Sequence, residues 1–159
     1  MTTRADMPAE TLYFEDFFVG QVFESDTYEI TRERMHAFAS EFDPQAFHLD
    51  EAAADASFFQ GLAASGWYTA AVAMRLRVQT IQVLGGMVGA GIEEIRWTKP
   101  VRPGDTLKLR EEVTGTRLLT SRPQYGLVKM NSSTINQHGE VVMTMKVSAL
   151  APRRAFTME

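Results

Sequence analysis

Polar and apolar positions divide this 159-residue chain into an irregular start, a helical middle and a stranded second half. The first dozen residues are polar and without period, which predicts a loose arm over residues 1–12. From Tyr13 to Gly20 aromatic residues alternate with acids around a turn, and Gln21 to Ile30 reads as a strand. Thr31 can cap a helix that carries Met35, Phe38, Ala39 and Phe42 on one side. Pro44 disfavours helical backbone at the residue before it, so that helix should stop at Asp43. A short irregular passage, Pro44 to Leu49, then leads to Asp50, a candidate cap for a small alanine-rich helix.

Small residues packed around Gly61 and Gly66 open a long helix, expected from about Ser65 to Leu84. It is apolar on most of its circumference, as a helix surrounded by sheet should be, and Gly85 and Gly86 are expected to end it. Everything afterwards reads as strand: Met87 to Trp97, Thr106 to Thr116, Tyr125 to Ile135, and a last one after the His138-Gly139 hairpin. In that last strand Val141, Met143, Met145, Val147 and Ala149 alternate with Thr144, Lys146 and Ser148, so one face is buried. Pro103 and Gly104 stand where a type II turn wants them. The pattern predicts an α+β fold, a curved antiparallel β-sheet wrapped around a long central α-helix. A single domain over residues 13–152 is expected, with a short tail over 153–159. Unpaired sheet edges are usually covered, and pairing two copies edge to edge predicts a homodimer or a multiple of dimers.

Composition narrows the class. A hydrophobic share of 45% with 23% charged residues is that of an ordinary globular protein. Arg75 and Arg77 interrupt the longest apolar stretch, which argues against a membrane span. The N-terminus has no apolar signal core, so export is not expected and the cytoplasm is the default location. Zero cysteines removes disulfides, thiolate metal sites and cysteine nucleophiles together. A net charge of −4 argues against nucleic acid as a partner. With no histidine pair at ligand spacing, no metal site is expected.

The chain has three histidines. His36 lies inside the first helix and His138 in a hairpin turn, where solvated or structural roles are the ordinary ones. His48 differs in its company. It shares a short passage with Asp43, among Phe42, Phe47, Phe58 and Phe59. Asp-Pro alone is a common helix stop, and a histidine before a cap is unremarkable. Downstream, however, Gly61, Ser65 and Gly66 lead into a helix whose free N–H groups can stabilise a developing oxyanion, and Ser65 is either a further donor or a cap. An acid, an imidazole and an oxyanion donor together form an active-site inventory.

The segment Phe38 to Ala71 resembles the hydratase motif of the MaoC-like dehydratases, the R-specific enoyl-CoA hydratases. Their Asp-x-Asn-Pro-aliphatic-His pattern is matched by Asp43, Pro44, Gln45, Ala46, Phe47 and His48, with Asp50, Gly61 and Gly66 continuing it. Arg96, Pro100, Pro103, Gly104 and Asp105 fall in the family's later strand–turn–strand. Gln45-Ala46 replaces the family's Asn-Pro, and Phe47 its aliphatic residue, changes that bear on the substrate more than on the reaction.

The resemblance implies a hotdog fold and an acyl-thioester hydratase or dehydratase. Asp43 would be the general base, with His48 orienting the water and shuttling the proton. N–H groups around Gly61 or Gly66, with Ser65, would polarise the thioester carbonyl. Gln45, Phe47, Phe59 and Trp67 would shape the acyl pocket, and their bulk favours short or medium chains. Arg96, Lys99 and Arg102 would meet the phosphates of coenzyme A, which enters as part of the substrate; no further cofactor is expected. An apolar pocket around Asp43 would raise its pKa and make it a better base. The alternatives are a hotdog thioesterase, with Asp43 activating water against the carbonyl, and a non-catalytic acyl-thioester-binding subunit.

Overall fold

A computed structural model of the chain describes residues 11–156. Strands β1 (Val22–Glu29), β2 (Val88–Trp97), β3 (Thr106–Leu118), β4 (Tyr125–Ile135) and β5 (Val141–Pro152) form one antiparallel sheet in the order β1-β3-β4-β5-β2. Helices α1 (Arg32–Phe42), α2 (Ala46–Leu49), α3 (Glu51–Asp55) and α4 (Gly66–Thr80) separate β1 from β2. The core lies between α4 and one sheet face, where Val72, Ala73 and Leu76 meet Leu107, Leu109, Val128, Met130 and Met143. Alternation produces it: along β3 every second residue from Leu107 to Val113 is buried. The expected α+β architecture is the observed one.

Local signals work where a side chain has one partner within reach. Thr31 accepts a hydrogen bond from the Arg34 N–H and starts α1; Asp50 accepts one from Ala53 and starts α3. Helix α1 ends at Asp43, whose φ of −150° and ψ of 65° are no longer helical. Gly104 takes a φ of +88° in the turn closed by Asp105 N–H to the Arg102 carbonyl, the backbone a type II turn requires.

Other expectations need correction. The passage before Asp50 contains the single turn α2 and is not wholly irregular. Helix α4 ends at Thr80, short of the glycines. The Leu12 N–H reaches the Gln82 carbonyl (2.8 Å) and the Leu84 N–H reaches that of Leu12 (3.1 Å), so extended pairing takes over. Gly85 and Gly86 sit beyond, at φ of +70° and +86°. The predicted arm lies outside the described residues except for its last two, and Leu12 is tied down. Residues 154–156 form a 3₁₀ turn, with Arg153 and Arg154 bonded to Glu15 and Asp16; residues 157–159 lie outside the description.

The sheet wraps one side of α4 and leaves the other open: Trp67, Met74 and Val78 are 56%, 49% and 62% exposed. The two sheet edges also differ. Edge β1 carries Glu24, Asp26 and Glu29 and a register shift between Glu24 and Thr27, both of which discourage pairing. Edge β2 leaves Val88, Ile92 and Trp97 exposed.

Candidate active site

The end of α1, the turn α2 and the start of α4 bring Asp43, His48 and Gly66 to the wall of one cavity of about 370 Å³. Helix α2 buries His48 to 5% exposure, and its ring packs edge-on against Phe47 at 4.6 Å. The Nδ1 of His48 lies 2.8 Å from the Ala63 carbonyl. A carbonyl only accepts, so Nδ1 carries hydrogen and donates, which fixes the tautomer. The exchangeable position is therefore Nε2, which stands 3.2 Å from Asp43 Oδ2.

Asp43 accepts two side-chain hydrogen bonds: Ser65 Oγ donates to Oδ2 at 2.7 Å, and Gln45 Nε2 donates to Oδ1 at 2.6 Å. His48 Nε2 faces the same Oδ2. Burial acts to raise the Asp43 pKa, but the hydrogen bonds from Gln45 and Ser65 and the neighbouring imidazole outweigh it, so the net shift is downward. The expectation of a carboxylate raised by an apolar pocket is thus corrected.

The oxyanion candidates separate. Gly61 donates its N–H to the Ala54 carbonyl (3.1 Å), so it is not available to a substrate. At φ +145° a Cβ there would come within 3.2 Å of Arg102 Nη1, which explains the glycine by packing. Ser65 stands at the N-cap of α4 but makes no side-chain cap bond; its hydroxyl donates to Asp43 instead. Gly66 remains. Its N–H lies in the first turn of α4, which has no intrahelical acceptor and no side-chain cap. A Cβ on Gly66 would collide with the Trp97 ring at 2.6 Å, and Trp97 Nε1 donates to the Gly66 carbonyl at 2.8 Å.

Phe59 and Trp67 line the cavity as expected. Gln45 and Phe47 do not; they brace Asp43 and His48 from behind. Of the three expected cations, only Lys99 lines it, paired with Glu140 at 3.1 Å. Arg96 pairs with Glu94 on the surface. Arg102 is corrected to a structural role: it donates to the carbonyls of Phe59 (2.6 Å) and Leu62 (3.1 Å), fastening the loop ahead of α4. Sequence reasoning missed Thr69, Trp97 and Val101 in the lining. His36 and His138 are exposed and lie outside it.

Residues 16–135 match the sequence profile of the family called MaoC like domain. An uncharacterized protein of Bacillus subtilis is 33% identical over 141 residues, which are 87% of this chain and 98% of that protein. The crystal structure of a MaoC-like dehydratase from Rhodospirillum rubrum is 45% identical, with a TM-score of 0.86 over 90% of this chain and 98% of the other. An unliganded R-hydratase from Pseudomonas aeruginosa is 27% identical, with a TM-score of 0.74 over 91% and 88%.

Proposed function

Because the chain belongs to the MaoC-like domain family, we propose that it adds water reversibly to a trans-2-enoyl thioester of coenzyme A, giving an (R)-3-hydroxyacyl thioester. The observation that carries this is the 3.2 Å approach of Asp43 Oδ2 to His48 Nε2 beside the first turn of α4. A water hydrogen-bonded to both atoms from the cavity side gives a proton to Asp43 as its oxygen bonds to C3. The C2–C3 π electrons move toward the thioester, and the negative oxygen is met by the Gly66 N–H. Because the Asp43 pKa is lowered, the proton passes on through His48 Nε2 to C2, and the enolate collapses. One water is added, and elimination runs the same steps backwards. Lys99 at the cavity wall is the cation placed to meet a phosphate.

Crotonyl-CoA tests the reaction type. Loss of the enoyl absorbance with no free thiol is expected. Thiol release would make the protein a thioesterase, and binding without turnover would make it a carrier.

The same proposal includes a homodimer. The exposed apolar residues of α4 and the open edge β2 lie on faces that a second copy would cover. Light scattering at micromolar concentration should give twice the chain mass or a multiple of it, and Ile92→Lys on β2 should shift the equilibrium toward monomer. A wild-type monomer would remove the edge-pairing argument.

A further inference from the structure

Phe58 is 95% exposed, the most exposed of the large apolar side chains among the described residues. It lies in the loop between α3 and α4 and lines the same cavity as Asp43 and His48, yet the mechanism above does not use it. The loop around it is pinned. Ser57 Oγ donates to the Ala54 carbonyl (2.6 Å) and accepts from the Phe59 N–H (3.1 Å). The Gln60 N–H closes a turn onto the Ser57 carbonyl (3.1 Å), and Arg102 holds the carbonyls of Phe59 and Leu62. Gln60 takes a φ of +51°, a backbone that residues other than glycine rarely adopt. A single exposed apolar side chain needs no explanation by itself. One fixed by a strained loop at the mouth of a catalytic cavity is placed where substrate must pass.

Phe58 packs edge-on against Phe59 at 5.6 Å between centroids, and Phe59 lies 6.0 Å from the His48 ring. Successive ring contacts of that length place Phe58 within about 12 Å of the imidazole. In an acyl thioester of coenzyme A the pantetheine arm runs outward from the sulfur. It consists of two carbons, an amide, two carbons, a second amide and then a dimethyl-bearing carbon. About ten bonds separate the sulfur from that last carbon, roughly 12 Å when extended, so the arm is long enough to pass Phe58. At an open mouth its amides keep their hydrogen bonds to water, whereas a closed tunnel would have to supply partners. The apolar segments between them gain the flat face of the ring.

We propose that Phe58 is a specificity-determining residue, a platform for the pantetheine arm beyond its first amide. The proposal rests on the acyl-thioester function given above. The acyl tail is the other apolar part of such a substrate. It carries no amides and gains most where it is enclosed, which a ring 95% exposed does not provide.

Butanoyl thioesters of N-acetylcysteamine, pantetheine and coenzyme A carry one acyl group on arms of increasing length, and the shortest stops at the first amide. They are saturated, so NMR titration reads binding whether or not the protein hydrates an enoyl thioester. Wild type should bind the pantetheine thioester at least about fivefold more tightly than the N-acetylcysteamine thioester, the gain expected from burying about half a phenylalanine side chain. Phe58→Ala should weaken the pantetheine and coenzyme A thioesters about fivefold and the N-acetylcysteamine thioester less than about twofold. Phe58→Tyr keeps the ring and should keep the preference. An exposed ring adds little to the fold, so the melting temperature of Phe58→Ala should stay within a few degrees of wild type. Octanoyl in place of butanoyl should leave the size of the Phe58 effect unchanged. A Phe58-dependent preference in a protein that fails to hydrate crotonyl-CoA would support the platform and remove the hydration proposed above. Binding of none of the thioesters, equal wild-type affinity for the pantetheine and N-acetylcysteamine thioesters, a Phe58→Ala loss shared equally by all three, or a loss that grows with acyl length would each overturn the proposal.

Discussion

His48→Ala is expected to slow hydration of a trans-2-enoyl-CoA by about 10²–10⁴-fold, or roughly 3–5 kcal/mol of barrier. The ring is fixed at Nδ1 by the Ala63 carbonyl, so only Nε2 can move a proton, and it is the atom beside Asp43. Two groups that hold one water act as a unit. Asp43→Asn/His48→Ala should therefore be little slower than either single variant. A double variant slower by the product of the two single effects would mean that the residues act on separate steps. Loss of the ring also leaves the Ala63 carbonyl without its donor, at a cost of about 1–3 kcal/mol of stability. Rates must be compared at a temperature where both proteins are folded by circular dichroism. His36→Ala and His138→Ala should stay within a few-fold of wild type, since both rings are exposed and outside the cavity.

Arg77→Ala is expected to destabilise the fold by roughly 3–5 kcal/mol, because it strands the Glu111 carboxylate at 1% exposure. The ion pair itself is not a net asset. Burial raises the Glu111 pKa, and the opposing pulls of Arg77 and Ser132 do not offset it. Among the described residues Glu111 Oε2 has no hydrogen-bond partner. Replacing both charges with Arg77→Met/Glu111→Leu should then change stability far less than removing one. Urea unfolding gives the comparison through the shift in midpoint at constant slope. Equal losses in the single and double variants would show that packing around Arg77, rather than charge, dominates there.

The parts of this molecule that sequence revealed are those decided within a few residues. Thr31 and Asp50 cap, Pro44 stops α1, and the strand expected over Tyr125 to Ile135 is β4 at its observed limits. Asp43 and His48 were legible because they share one short passage, five positions apart. What stayed hidden depends on groups distant in the chain. Ser65 read as a cap or a carbonyl donor, since nothing local shows that its hydroxyl crosses to Asp43. Gly61 read as an oxyanion donor until the Ala54 carbonyl and Arg102 claimed its surroundings. Trp97 reaches Gly66 across 31 positions of sequence, and no periodicity announces such a contact. Arg77 looked like a break in an apolar run, while its partner Glu111 sits at an inward position of β3, where alternation predicts an apolar residue.

Asp43→Asn tests the central claim most directly. Asparagine keeps the shape and can still accept from Ser65, but it has no basic carboxylate. With substrate binding retained and the melting temperature close to wild type, the account predicts hydration slowed by about 10²–10⁴-fold. A well-folded Asp43→Asn protein that hydrates enoyl-CoA at the wild-type rate would contradict it.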